Sequence, residues 1–320
     1  MVLKIQRVNT TESSGVNRCF QPYLCDMYYL AYGFLYLASL LPFFILYLIS
    51  DFIYILMYYI LGYRKEVVMS NLTLAFPEKA LVERERIASQ FYKNFVDTFI
   101  ETIKLLSMTA TEFDKRCTGE IAMIKAAVAK GRSIQLVGGH QFNWEFANLF
   151  YSRHIGIPFI GVFANVENKV FNRVYHKFRS KYGTILISNS SFQRQMIELM
   201  QKQYSIILLA DQNTDPGKAY WLNFFGQPVP FVTGLHRTAV KNKPLLVYYD
   251  CKKVKRGHYH FAVSEIVEQP ETYTPEGLVL KYRDFLERII RNQPDNYLWS
   301  HRRWKHEYNE TYSKNWIDTR

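Results

Sequence analysis

The run Gly138-Gly-His-Gln-Phe-Asn-Trp-Glu145 holds the residues best suited to chemistry. A hydroxyl of ordinary pKa attacks an ester or thioester poorly until a base takes its proton, and neutral histidine does this near pH 7. A carboxylate accepting the other ring N–H fixes the tautomer and stabilises the imidazolium that forms. His140 is therefore a candidate general base, and Glu145 is its expected carboxylate partner. Five residues is a poor facing distance on a regular helix. His140 precedes a helix predicted to begin near Asn143, however, so a turn can fold the imidazole back toward Glu145. Backbone amides around Gly138 and Gly139 are candidates for approach to a developing oxyanion.

Other chemistries fit less well. There is no Gly-x-Ser-x-Gly elbow for a serine hydrolase and no His-Glu-x-x-His for a zinc hydrolase. His140, His154 and His176 have no recognisable metal spacing, and Cys117 has no nearby histidine in sequence. Cys19, Cys25, Cys117 and Cys251 show no paired metal spacing and read as reduced, mostly buried thiols. Neither a metal nor a nucleotide site is visible, so no cofactor is expected. A His-x4-Glu pair alone is a weak signal; its place after a strand and two glycines raises it.

The elements that must position this run are legible from its surroundings. Short apolar runs at Ser133–Val137, Pro158–Phe163, Thr184–Ile187, Ser205–Ala210 and Pro244–Tyr249 read as strands, with Tyr259–Ile266 as a further one. Helical stretches near 143–154, 167–181 and 190–203 alternate with the first four. This alternation predicts an α/β fold with a mainly parallel sheet flanked by helices. His140 then lies at the carboxyl end of a strand, where open α/β sheets bind ligands. Asp211, after the strand Ser205–Ala210, falls at another carboxyl end and can line the same cleft or cap the turn through Pro216-Gly217. Upstream, helices are predicted from about Glu78 to Leu106 and from about Thr111 to Lys130, and downstream from Pro275 to Arg291.

Tyr28 to Ile49 carries no formal charge over 22 residues, and apolar character resumes from Phe52 to Leu61. About 20 such residues suffice for a span, so a membrane anchor is expected, as one span, a re-entrant pair or an interfacial segment, with Pro42 bending the helix. Asp51 is expected at an interface or in a kinked turn, because a carboxylate at the bilayer centre costs roughly 2.5–3.5 kcal/mol. Arg64 and Lys65 close the segment, and the formal charge of +12 favours anionic partners such as lipid headgroups or an acidic carrier protein. The charge also permits nucleic-acid binding, but no recognition motif appears, and none is expected. The chain divides into a tail and membrane anchor, residues 1–62, and one cytoplasm-facing catalytic domain, residues 63–320.

Lys169, Arg173, Lys177, Arg179 and Lys181 fall on or beside one predicted helix. They read either as an anion platform for phosphate-bearing substrate or as a solvated basic face. Arginine's planar fork suits a phosphate, or a carboxylate such as Asp211. His301, Arg302, Arg303 and Lys305, between Trp299 and Trp304, read as a membrane-facing edge or as a structural cap.

Several segments, in order, resemble the late acyltransferases of lipid A biosynthesis in Gram-negative bacteria. They are Asn71-Leu-Thr-Leu-Ala-Phe-Pro-Glu78 with Glu83-Arg84, Gly139 to Glu145, Asn168 to Arg179 with Gly183, Asp211-Gln212 with Phe224-Phe-Gly226 and Phe231-Val-Thr-Gly234, and Trp299 to Lys305. The resemblance implies a glycerolipid-acyltransferase-like fold on the cytoplasmic face of the inner membrane. It implies an acyl-carrier-protein thioester as donor and a hydroxyl of a lipid A precursor as acceptor. It also implies His140 as base and Glu145 as its partner. Arg179 and Asp211 would lie at or near the site, with Asn168, Arg173 and Gly139 as further substrate-binding candidates. Transfer to another lipid, hydrolysis of the donor, and a lipid-binding scaffold without catalysis are the competing readings.

Overall fold

The computed structural model describes residues 22–164 and 167–319 of the 320-residue chain. Cys19, and the side chain of Cys25, lie outside what is described, while Cys117 and Cys251 are buried free thiols. The chain folds around a seven-stranded sheet of order β1-β9-β8-β2-β5-β3-β4. Its members are β1 (Cys117–Gly119), β2 (Ile134–Gly138), β3 (Phe159–Phe163), β4 (Ile185–Ser188), β5 (Ser205–Leu209), β8 (Leu245–Lys255) and β9 (His258–Val267). Every pairing is parallel except the β8–β9 hairpin. The expected α/β class with a mainly parallel sheet is therefore what the chain adopts.

Alternation along the central strands builds a core on each face of the sheet. Val137, Leu246 and Tyr248 pack on one side with helices α4 (Leu81–Lys104) and α11 (Pro275–Asn292). Ile134, Leu136, Val247 and Tyr249 pack on the other with α7 (Trp144–His154). An antiparallel hairpin, β6 (Tyr220–Phe224) with β7 (Gln227–Phe231), and helix α10 (Gly234–Asn242) follow β5 and were not anticipated from the sequence.

The stretch from Thr111 to Lys130 is not one helix. It divides into α5 (Ala110–Arg116), β1 and α6 (Ala122–Ala129). Cys117–Gly119 pairs with Tyr259–Phe261 at the sheet edge, and a side chain at Gly119 would meet the Phe150 ring at 2.7 Å. Tertiary pairing overrides a helical pattern here.

The apolar N-terminal segment is broken at Pro42, which caps the second of two helices, α1 (Pro22–Leu40) and α2 (Phe43–Ile55); α2 continues as a π-helical turn to Ile60. Residues Phe43–Ile60 are long and apolar enough to cross a membrane, with mean hydropathy 1.9. Asp51 lies inside this helix, not in a kinked turn, and its carboxylate binds Arg256 at 2.7 Å.

The two ends of the domain clasp each other. Asn71, on helix α3 (Lys65–Ala75), donates to the carbonyls of Trp299 and His301, and Arg64 donates to that of Ser300. Arg303 is fully buried over the rings of Phe224 and Phe231 and donates to the Pro230 carbonyl. The C-terminal segment from Trp299 is thus a structural cap over the β6–β7 hairpin.

Candidate active site

Strands β2 and β5 are neighbours in register, with Gly138 opposite Leu209. Two residues beyond each partner stand His140 and Asp211, so the register itself brings them together at the carboxyl edge of the sheet. His140 Nδ1 lies 2.6 Å from Asp211 Oδ1, and the His140 backbone N–H donates to Asp211 Oδ2 at 2.8 Å. Asp211 is wholly buried, whereas the imidazole keeps 17% of its surface open. Burial pushes the Asp211 carboxyl up, but the His140 charge and hydrogen bonds outweigh it and hold the group below the usual carboxylate range. A carboxylate at Nδ1 assigns the proton to Nδ1 and leaves Nε2 with its lone pair. Gln212 Nε2 lies 3.1 Å from that lone pair and donates to it.

Glu145 is therefore not the residue that holds the imidazole. Asn143 caps α7 by accepting from the backbone N–H groups of Glu145 and Phe146, which sets Glu145 in the first helical turn. From there its carboxylate turns to helix α8 (Lys169–Arg179), where both oxygens accept from the Arg179 guanidinium. The Trp144 indole N–H adds a bond of 3.1 Å. Burial pulls the Arg179 pKa down and Glu145 pushes it up further, so this cation is secured. The arginine fork, read from the sequence as suited to a phosphate or to a carboxylate such as Asp211, is engaged by Glu145.

His140, Trp144, Glu145, Arg179 and Gln212 are among the residues that line a cavity of about 500 Å³. Val162, Phe163 and Ala164 at the end of β3, Leu186 on β4, and Ile207 to Leu209 on β5 make much of the rest apolar. The volume lies within the usual range for ligand pockets. A carboxylate-bonded histidine and an arginine beside apolar strand residues suit a substrate with a reactive head and a hydrocarbon tail.

The other expected residues stand elsewhere. Asn168 is the N-cap of α8, accepting from Val170 and Phe171 N–H. Arg173 stacks over Tyr28 of α1 at 4.0 Å, and Lys177 sits over Tyr32 at 4.1 Å, so the basic face of α8 holds aromatic rings of α1. Lys181 donates to the carbonyls of Leu105 and Met108. Gly139 is a packing requirement: a side chain there would meet Leu286 at 2.8 Å and Asp211 at 3.6 Å. Gly138 is the same case, with the Tyr249 ring 2.5 Å from where a Cβ would sit. The His140 amide, next to the two glycines whose amides were the oxyanion candidates, is committed to Asp211. Among the described residues, no group of three or more His, Cys, Asp or Glu side chains is placed to hold a metal ion.

Gln212 and Tyr249 line the cavity without having been singled out for it, as do Thr98 and Thr102 of α4. Only Gln212 carried a signal, its place next to Asp211 at a strand end.

The chain is similar to the lipid A biosynthesis acyltransferase 2 of Shigella flexneri, with 21% identity over 238 residues, covering 72% of this chain and 74% of that protein. It is similar to the lipid A biosynthesis palmitoleoyltransferase of Escherichia coli K12, with 22% identity over 249 residues, covering 76% and 79%. The model of the bacterial lipid A biosynthesis acyltransferases matches residues 21–306, and the chain belongs to that family.

Proposed function

We propose that this protein transfers a fatty acyl chain from an acyl-carrier-protein thioester to a hydroxyl of a lipid A precursor. The work is done at the cytoplasmic face of the bacterial inner membrane by residues 63–320, anchored through residues 1–62. The observation that carries the mechanism is the His140–Asp211 pair at the mouth of an apolar cavity, in a chain of this family.

The acceptor hydroxyl displaces the Gln212 amide from His140 Nε2 and gives up its proton there as its oxygen attacks the thioester carbonyl carbon. Asp211 accepts the Nδ1–H and stabilises the imidazolium, which is the orienting role first expected of Glu145. The tetrahedral oxyanion collapses with cleavage of the C–S bond, and the imidazolium returns its proton to the departing thiolate. Arg179, held by Glu145, places a fixed positive charge at the same end of the cavity, suited to the developing oxyanion or to substrate phosphate. The hydrocarbon tail lies along Val162, Phe163, Leu186 and Ile207.

The test incubates membranes carrying the full-length protein with radiolabelled acyl-carrier-protein thioester and a tetraacylated lipid A precursor. Label on the precursor is expected. Label on other lipids of a total extract, with none on the precursor, would reassign the acceptor. Label released only as free fatty acid would make the protein a thioesterase.

A further inference from the structure

We propose that α1 and α2 lie in the plane of the membrane surface as a single apolar face, and that α2 does not cross the bilayer. The inference rests on the lipid-acceptor reading for its choice of occupant, and on the packing of α2 for its orientation. The inner side of α2 is bonded to the domain at every turn. Tyr47 OH donates to Glu101, Ser50 Oγ donates to Asp97 at 2.7 Å, Asp51 binds Arg256, and Tyr54 OH shares a bond of 2.8 Å with Ser89. The partners belong to α4, which packs on the central sheet, and to the β8–β9 hairpin, which is part of it.

The 18 residues Phe43–Ile60 reach about 27 Å, which would place Asp51 near the midplane of a bilayer. A spanning α2 would carry its bonded neighbours to the same depth. These are Asp97 and Arg256, with Lys253 paired to Asp97, and all three line one cleft beside α2 together with Lys93, Asn94 and Lys255. At the bilayer centre each Lys, Arg or Asp is costly, by about 2.5–3.5 kcal/mol on insertion scales. Laid in the surface, the same helix keeps this cluster on the protein side.

The outer face then has one natural occupant. Leu30, Phe34, Leu37 and Leu40 on α1 continue into Phe44, Leu48, Phe52 and Ile55 on α2, all well exposed. Between Met27 and Tyr63, Asp51 is the one charged residue, and it is paired. Arg64 and Lys65 follow directly, and the chain as a whole is cationic, which matches an anionic headgroup layer. Helix α1 is seated against α8 and the C-terminal end of α4, where Lys104 and Ser107 bind its last carbonyls. Both helices also line the catalytic cavity, through Tyr175 and Arg179 and through Thr98, Phe99 and Thr102. A membrane under α1 thus lies beside the cavity that must receive a lipid.

The test is nitroxide depth measurement on the full chain in vesicles of phosphatidylethanolamine and phosphatidylglycerol. Cys19 and Cys25 are replaced by Ser, and single cysteines are placed at Leu30, Leu37, Phe44, Leu48, Phe52 and Ile60. These residues are exposed, so the substitutions leave the packed face intact, and circular dichroism checks each fold. The expected result is one shallow depth at all six positions. A depth rising to a maximum near Phe52 and falling toward Phe44 and Ile60 would overturn the proposal in favour of a span. Labels that remain out of lipid, or that couple to one another between copies, would overturn it in favour of a protein–protein contact. The readout requires no turnover, so failure of the acyl-transfer reading would be seen separately.

Discussion

At the scale of the residue, the site pairs its charges in two separate units: His140 with Asp211, and Glu145 with Arg179. The second unit needs a fork. Arg179→Lys keeps the charge but loses the two-pronged bond to Glu145, so the cation is no longer fixed. Steady-state kinetics should show KM for the lipid acceptor rising about tenfold or more with kcat changed less; an unchanged KM would remove Arg179 from substrate binding. The proposed base was legible in the sequence because His140 follows a strand and two glycines. Its partner was not. Glu145 is near in sequence, but Asn143 caps the helix and turns Glu145 toward α8. Asp211 is 71 residues away and meets His140 through strand order, which no local pattern encodes.

At the scale of the element, α2 is held to α4 by apolar packing around Leu46 and Tyr54 and by a charged bridge through Arg256. Arg256 joins Asp51 to Asp97, which is 3% exposed, while the arginine itself is 35% exposed. Arg256→Met leaves Asp97 with Lys253 as its cation and the Ser50 hydroxyl as a donor, and a half-buried network of this kind is worth roughly 1–3 kcal/mol. Urea unfolding in detergent should fall by that amount, and proteolysis should reach α2 sooner. Equal stability would mean that α2 is held otherwise. The apolar run announced the anchor and Pro42 announced its break. That Asp51 sits in mid-helix was not legible, because its partner lies on a hairpin more than 200 residues later. In the same way Cys117–Gly119 looked helical until β9 supplied an edge to pair with.

At the scale of the whole molecule, the C-terminal segment locks the active-site loop to the N-terminal helices. His301 Nε2 accepts from the Asn213 backbone N–H, and Asn213 donates to the Arg302 carbonyl. Burial, with Arg303 adding to it, lowers the His301 pKa to about 4 from an ordinary 6.5. A folded value below the unfolded one means that the contribution is complete above pH 6.5 and is lost as pH falls toward 4. The midpoint of thermal unfolding should therefore fall as pH drops through that window, and less so in His301→Gln, which keeps an acceptor for Asn213; identical pH profiles would remove His301 as the cause. The sequence offered the Asn71 and Trp299 segments as the first and last of five ordered matches, but only the fold shows that they touch. The most direct test of the account is the rate of acyl transfer by His140→Ala, Asp211→Asn and Glu145→Gln, each verified as folded. The account predicts that His140→Ala and Asp211→Asn each lower kcat by about 10²- to 10⁴-fold, while Glu145→Gln acts mainly through KM. Full activity in Asp211→Asn, with kcat abolished in Glu145→Gln, would contradict it.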